Sequence, residues 1–103
     1  MMRVLLVCGS GASSGFMAAN IRKAAKERGV ALEITARGES EIENYIEDID
    51  ALMIGPHLAY LMDEIDEMFG EMNVKMILMK PEYYATLDGE KALSHLLEEM
   101  NKK

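Results

Sequence analysis

Four short apolar runs, at residues 3–8 (RVLLVC), 30–36 (VALEITA), 51–54 (ALMI) and 74–79 (VKMILM), alternate with stretches whose apolar residues recur at helical spacing. This alternation constrains the fold more than any other feature. The runs are too short for helices, and strands separated by helical segments need right-handed crossovers, which make the strands parallel and put helices on both faces. Between the runs, Met17, Ile21, Ala24 and Ala25 mark a first helix that Gly29 closes. Ser40 and Glu43 form a capping box opening a second helix with Ile42, Tyr45, Ile46 and Ile49. After Gly55-Pro56, a third carries Leu58, Leu61, Met62, Ile65 and Phe69, and Leu93, Leu96, Leu97 and Met100 mark a last. Pro81 breaks the pattern, and a loop is expected through Tyr83 and Tyr84 to Asp88. The expected fold is α/β, with residues 1–103 forming a single doubly wound domain. Its four-stranded parallel sheet is flanked by helices on both faces, and ligand sites lie at the carboxyl ends of the strands.

Composition narrows the chemistry. At 50% hydrophobic and 28% charged, the 103 residues can bury a core. The ten methionines include Met53, Met62, Met68, Met72, Met76 and Met79 on expected helices and strands, where they read as core filler. One cysteine makes neither an internal disulfide nor a zinc cluster, so a reducing, cytoplasmic setting and no metal or cofactor are expected. A formal charge of -7 argues against nucleic-acid binding, which rests on Lys and Arg. No apolar stretch approaches the roughly 20 residues of a spanning helix, so direct membrane insertion is not expected. The charge is uneven. Residues 1–37 hold Arg3, Arg22, Lys23, Lys26, Arg28 and Arg37 against Glu27 and Glu33, a balance of +4, while residues 38–103 sum to -11. That asymmetry points to an anion handled by the first part, although charged helix surfaces also serve solubility.

The segment most suited to chemistry is Cys8-Gly9-Ser10-Gly11-Ala12-Ser13-Ser14-Gly15, delivered by a strand and followed by a helix. Backbone N–H groups of such a turn converge on one point, and the helix N-terminus adds partial positive charge, so the expected guest is a phosphate. A thiol at a helix N-terminus is favoured as the nucleophilic thiolate. Cys8 is therefore the candidate nucleophile and residues 9–15 the candidate cradle, with Ser13 as a loop hydroxyl and Ser14 as a helix cap.

Three familiar motifs fail. A P-loop needs a lysine followed by Ser or Thr after its glycines, and none follows. A dinucleotide fingerprint starting at Gly9 finds Ser14 in place of its third glycine. Gly11 to Gly15 satisfies G-x-S-x-G, but that elbow belongs to larger hydrolases. A cysteine phosphatase of low molecular weight, or an arsenate reductase-like enzyme, is the stronger alternative. Such enzymes use C-x5-R, and Ser14 stands at the arginine position, removing the bidentate hold on a transferring phosphoryl group. Asp88 reads either as a general acid or as a helix N-cap.

With these segments in place, the chain resembles the lactose/cellobiose-type IIB components of the phosphoenolpyruvate-dependent sugar phosphotransferase system. The resemblance rests on VLLVCGSGASSG, ALMIGPHLAYLMDEI and YYATLDGEKAL and covers essentially the full length. It implies a phosphoryl carrier. Cys8 would accept phosphate from a phosphohistidine IIA donor and pass it to a sugar substrate, a disaccharide of the cellobiose, chitobiose or lactose class, taken up through the membrane IIC permease. Gly9, Ser10, Gly11, Ala12, Ser13, Ser14 and Gly15 would hold the phosphate. A carrier must hold phosphate without activating water against it, which suits a cradle lacking arginine. Many relatives read G-P-Q-V-R-Y where this chain has Gly55-Pro56-His57-Leu58-Ala59-Tyr60. His57 is thus a candidate to approach the phosphorylated loop from behind the residues that hold the phosphate, or a loop histidine without a role. His95 reads as solvated on the last helix, and the docking face as the small and apolar surface around the Cys8 loop, including Ala12 and Leu58.

Overall fold

A computed structural model describes residues 1–8 and 12–102, with Ala12 and Ser13 described by their backbone alone. Its sheet has four parallel strands. Central strands β1 (Met2–Val7) and β3 (Ala51–Ile54) lie between the edge strands β2 (Leu32–Arg37) and β4 (Lys75–Leu78), giving the order β2-β1-β3-β4. Val4 pairs with Ile34 on one side and Ala51 on the other, and Ile54 pairs with Val7 and Leu78. The two central strands are buried on both sides, which is why their sequences are continuous apolar runs. The edge strand β2 alternates, burying Ile34 while leaving Glu33 exposed.

Side chains sort by the period of two. Val4, Leu6, Ala51, Met53, Ile77 and Met79 face the helices α1 (Ala12–Arg28) and α5 (Gly89–Met100), which bury Met17, Ile21, Leu93 and Leu96 there. Leu5, Val7, Leu52 and Ile54 face the other way, against α2 (Ile42–Tyr45) and α3 (Met62–Phe69). A single-turn helix α4 (Pro81–Tyr84) joins the α1 and α5 side through buried Tyr83. The expected parallel sheet with helices on both faces is the fold observed.

Several local expectations are corrected. The first helix starts at Ala12, so Ser14 and Gly15 lie inside it and Ser14 is not its cap. No Ser40 cap forms: the 3-10 turn Glu39–Glu41 is closed by Glu41 N–H donating to the Gly38 carbonyl, which leaves Ser40 within the turn instead of before it. The third helical segment begins as the 3-10 stretch Pro56–Leu61, with Leu58 N–H donating to the Gly55 carbonyl. Pro81 starts a helix where a loop was expected, because its fixed φ and missing N–H suit the first helical position. Asp88 caps α5, accepting the Lys91 N–H at 3.1 Å, which matches the second of its two readings.

Candidate functional site

Cys8 leaves β1 at its carboxyl end and is fully buried. It continues the even-numbered side of β1, so its sulfur belongs to the α1 and α5 face. Beside it, Gly55 N–H donates to the Val7 carbonyl at 2.9 Å, carrying the β3 pairing up to the thiol. Space at Gly55 is tight. A Cβ on Gly55 would come 3.0 Å from the Cys8 Cβ and 2.9 Å from His57 Cε1.

The next contact was not expected. The Tyr84 hydroxyl donates to Cys8 Sγ at 3.1 Å, and its ring lies 5.9 Å from the His57 ring, tilted by 59°. His57, on an exposed position, thus neighbours the tyrosine that bonds the thiol, and Tyr84 itself is the half-buried residue in contact with the sulfur. Tyr84 is brought over the strand ends because α4 is separated from β4 by only Met79 and Lys80. The readable signal was Pro81, a helix starter standing three residues before Tyr84 at the end of a strand.

Tyr84 is held from behind by its neighbour. The Tyr83 hydroxyl meets His95 Nδ1 at 2.5 Å, and burial pushes the Tyr83 hydroxyl up to about 12. Burial, followed by the Lys80 charge, lowers the His95 pKa, against smaller opposing contributions from Glu99 and Glu98. His95 therefore packs on Tyr83 and is not a solvated surface residue, as its position on the helix had suggested. Leu58 is likewise buried, in the cluster beneath α3, and is unavailable as a docking residue.

Of the expected cradle, Gly9, Ser10 and Gly11 and the side chains of Ala12 and Ser13 lie outside the described residues. Ser14 is buried at 1% exposure in the first turn of α1, whereas Gly15 is exposed. The electrostatics of that turn stand apart. α2, α3, α4 and α5 each carry an acid in the first turn, Glu43, Asp63 with Glu64, Glu82 and Glu90 respectively, but α1 carries none. The helix that follows Cys8 thus has no acid of its own at its positive end.

The arginines of the basic segment are engaged elsewhere. Arg22 donates to the Ile34 carbonyl, Arg28 to Glu90 and Ser94, and Arg37 to Tyr45, while Arg3 lies 3.9 Å from Glu33. Their charge supports packing between elements, so the +4 balance is not concentrated at the thiol.

The family described as the lactose/cellobiose-specific IIB subunit of the PTS system matches residues 3–95. The chain belongs to this family. It is a IIB phosphoryl carrier, a sugar phosphotransferase component. Among relatives, an oligo-beta-mannoside-specific EIIB component from Bacillus subtilis is 28% identical over 97 residues, covering 94% of each chain. A lactose-specific EIICB component from Lacticaseibacillus casei is 27% identical over 92 residues, 87% of this chain but 16% of that protein, so there the IIB part belongs to a longer chain. The solved lactose-specific IIB domain from Streptococcus pneumoniae superposes with a TM-score of 0.85 at 18% identity, covering 95% and 96% of the two chains. A low-molecular-weight phosphotyrosine phosphatase from Vibrio cholerae shares the fold, with a TM-score of 0.66 at 12% identity over 99% and 98%. Among the described residues no helix is long and apolar enough to cross a membrane, and no group of His, Cys, Asp and Glu is suited to a metal ion.

Proposed function

We propose that Cys8 is the residue on which this IIB component carries phosphate, within a cytoplasmic domain spanning residues 1–103. The donor is a phosphohistidine on a IIA partner, and the acceptor is a hydroxyl of a disaccharide bound by a membrane IIC permease. The observation that carries the reading is the position of the chain's one cysteine, at the carboxyl end of a central strand and just before a helix whose first turn carries no acid. In the first transfer the Sγ–P bond forms as the P–N bond to the donor histidine breaks. The P–N electron pair goes to the ring nitrogen, which also ends with the thiol proton. In the second, the sugar oxygen takes the phosphoryl group, the S–P bond breaks and the hydroxyl proton is left to the sulfur.

In this reading the backbone of residues 9–15 and the Ser13 and Ser14 hydroxyls cradle the phosphate beside the helix N-terminus. His57 stands at the rim, where an incoming group passes. Ser14 occupies the position at which the phosphatases of this fold carry arginine, so no guanidinium is available there to drive hydrolysis. The thiol is fully buried in the resting chain, a departure from the exposed thiol expected for in-line approach.

The test is incubation with phosphoenolpyruvate and the purified relay proteins, including a cognate IIA, followed by intact mass measurement of wild type and Cys8→Ala. A single phosphoryl mass on wild type, absent from Cys8→Ala, is the expected result. Absence of the gain on wild type overturns the reading. Release of phosphate from an aryl phosphate that depends on Cys8 would instead establish the phosphatase alternative.

A further inference from the structure

Resting on the Cys8 carrier reading, we infer that Tyr84 is a positioning residue for phosphoryl transfer: its hydroxyl holds Cys8 Sγ in the resting protein and moves to a phosphoryl oxygen when the S–P bond forms. The geometry supplies both halves. The hydroxyl is 3.1 Å from the sulfur, on the last residue of a helix separated from β4 by only Met79 and Lys80. The turn is fixed from within, because Tyr83 is buried and bonded to His95. The chain after α4 is also tied down. Leu87 takes a positive φ of 53°, and its carbonyl accepts from Asn20 Nδ2 at 2.8 Å on α1. The Tyr84 backbone is therefore held in place, and a small change in its side-chain torsions is all that separates the sulfur from an oxygen bonded one atom beyond it.

Sulfur in a thioester-like S–P bond has little acceptor strength, whereas the three phosphoryl oxygens bear the charge. A donor already within reach of the sulfur then finds a better acceptor just beyond it. The donor is neutral, so it orients the phosphoryl group without the full positive charge that an arginine would bring. The S–P bond formation and P–N cleavage remain as described above, and Tyr84 keeps its own proton throughout.

The experiment compares wild type, Tyr84→Phe and Cys8→Ala, following phosphorylation by phosphoenolpyruvate and the relay proteins as a function of IIA concentration. Tyr84→Phe keeps the ring and removes the donor. The maximal phosphorylation rate is expected to fall about tenfold, the size of one lost hydrogen bond, with the KM for phosphorylated IIA unchanged and the melting temperature close to wild type. In wild type, a 13C label at the Tyr84 ζ carbon is expected to shift on phosphorylation. An unchanged maximal rate, a change confined to KM, or an unmoved label overturns the inference while leaving Cys8 as carrier. Wild type that gains no phosphoryl group overturns the carrier reading and this inference with it, whatever the Tyr84 variant does.

Discussion

On one face of the sheet two helices of 17 and 12 residues lie side by side, and on the other the cover is two 3-10 stretches, a four-residue helix and an eight-residue helix. The first face is closely packed at its centre, with polar-rimmed surface clefts of about 290 Å³ only along its margins, by Leu87 and Gly89 and by Lys80 and His95. Leu6, Met17, Ile21, Leu93 and Leu96 are fully buried, and α5 begins so close to α1 that a Cβ on Gly89 would lie 2.3 Å from the Asn20 carbonyl oxygen. The second face is looser. Met62, Met72, Met76 and Phe69 are only partly buried, Met68 is 58% exposed, and an open cavity of about 190 Å³ lies between Ile42 and Ile65 under a rim that includes Glu39, Glu43 and Glu64. Cys8 and the tyrosine turn belong to the closed face. Placing an attacking atom demands a rigid support, and the site is built where the packing supplies it.

The largest expected effect tests that contrast directly. Leu96→Ala should lower the unfolding free energy by about 4 kcal/mol, because the closed face cannot collapse around the void. Ile65→Ala, on the open face beside the cavity, should cost about 2 kcal/mol, at the low end for such truncations. Both are read by urea unfolding, and equal losses would break the comparison.

A pH effect comes next. The pKa of His95 is lowered in the folded protein, chiefly by burial, so the unfolded chain binds the proton first as pH falls. Its contribution to stability is complete above the unfolded value of about 6.5 and is lost as pH drops below it. Unfolding midpoints at pH 7.5 and 5.5 should therefore diverge more in wild type than in His95→Gln. The Tyr83 hydroxyl has the opposite sense. Its raised value makes that contribution complete below about 10 and lost as pH climbs toward about 12. The smallest effect is at Met68, where Met68→Lys should change stability by no more than about 0.5 kcal/mol in the same unfolding assay.

The central strands were legible because burial on both sides makes them uninterrupted apolar runs, as in residues 51–54, whose bounds coincide with β3. The helices over the closed face were legible for a related reason: long amphipathic stretches leave a clear period. Short turns leave none. The one-turn α4 and the 3-10 turn after β2 are too short to show a helical period, and at Ser40 the Glu41 N–H closes on the Gly38 carbonyl, placing the serine within the turn. At the site, Cys8 announced itself by its place between an apolar run and a glycine-serine cluster. Tyr84 did not, because its role depends on a contact across 76 residues of sequence. His95 was misjudged for the same reason, its partner Tyr83 sitting on a turn read as loop.

Consecutive residues on a helix point about 100° apart. Tyr83 and Tyr84 are such a pair on a single turn, one hydroxyl tied to the last helix and the other to the sulfur. The turn is therefore a bracket: Tyr83 and His95 bolt it to the last helix, and Tyr84 extends from it over the thiol. The last helix, whose residues lie far along the chain from Cys8, thus shares in setting the height of the one hydroxyl that reaches the sulfur.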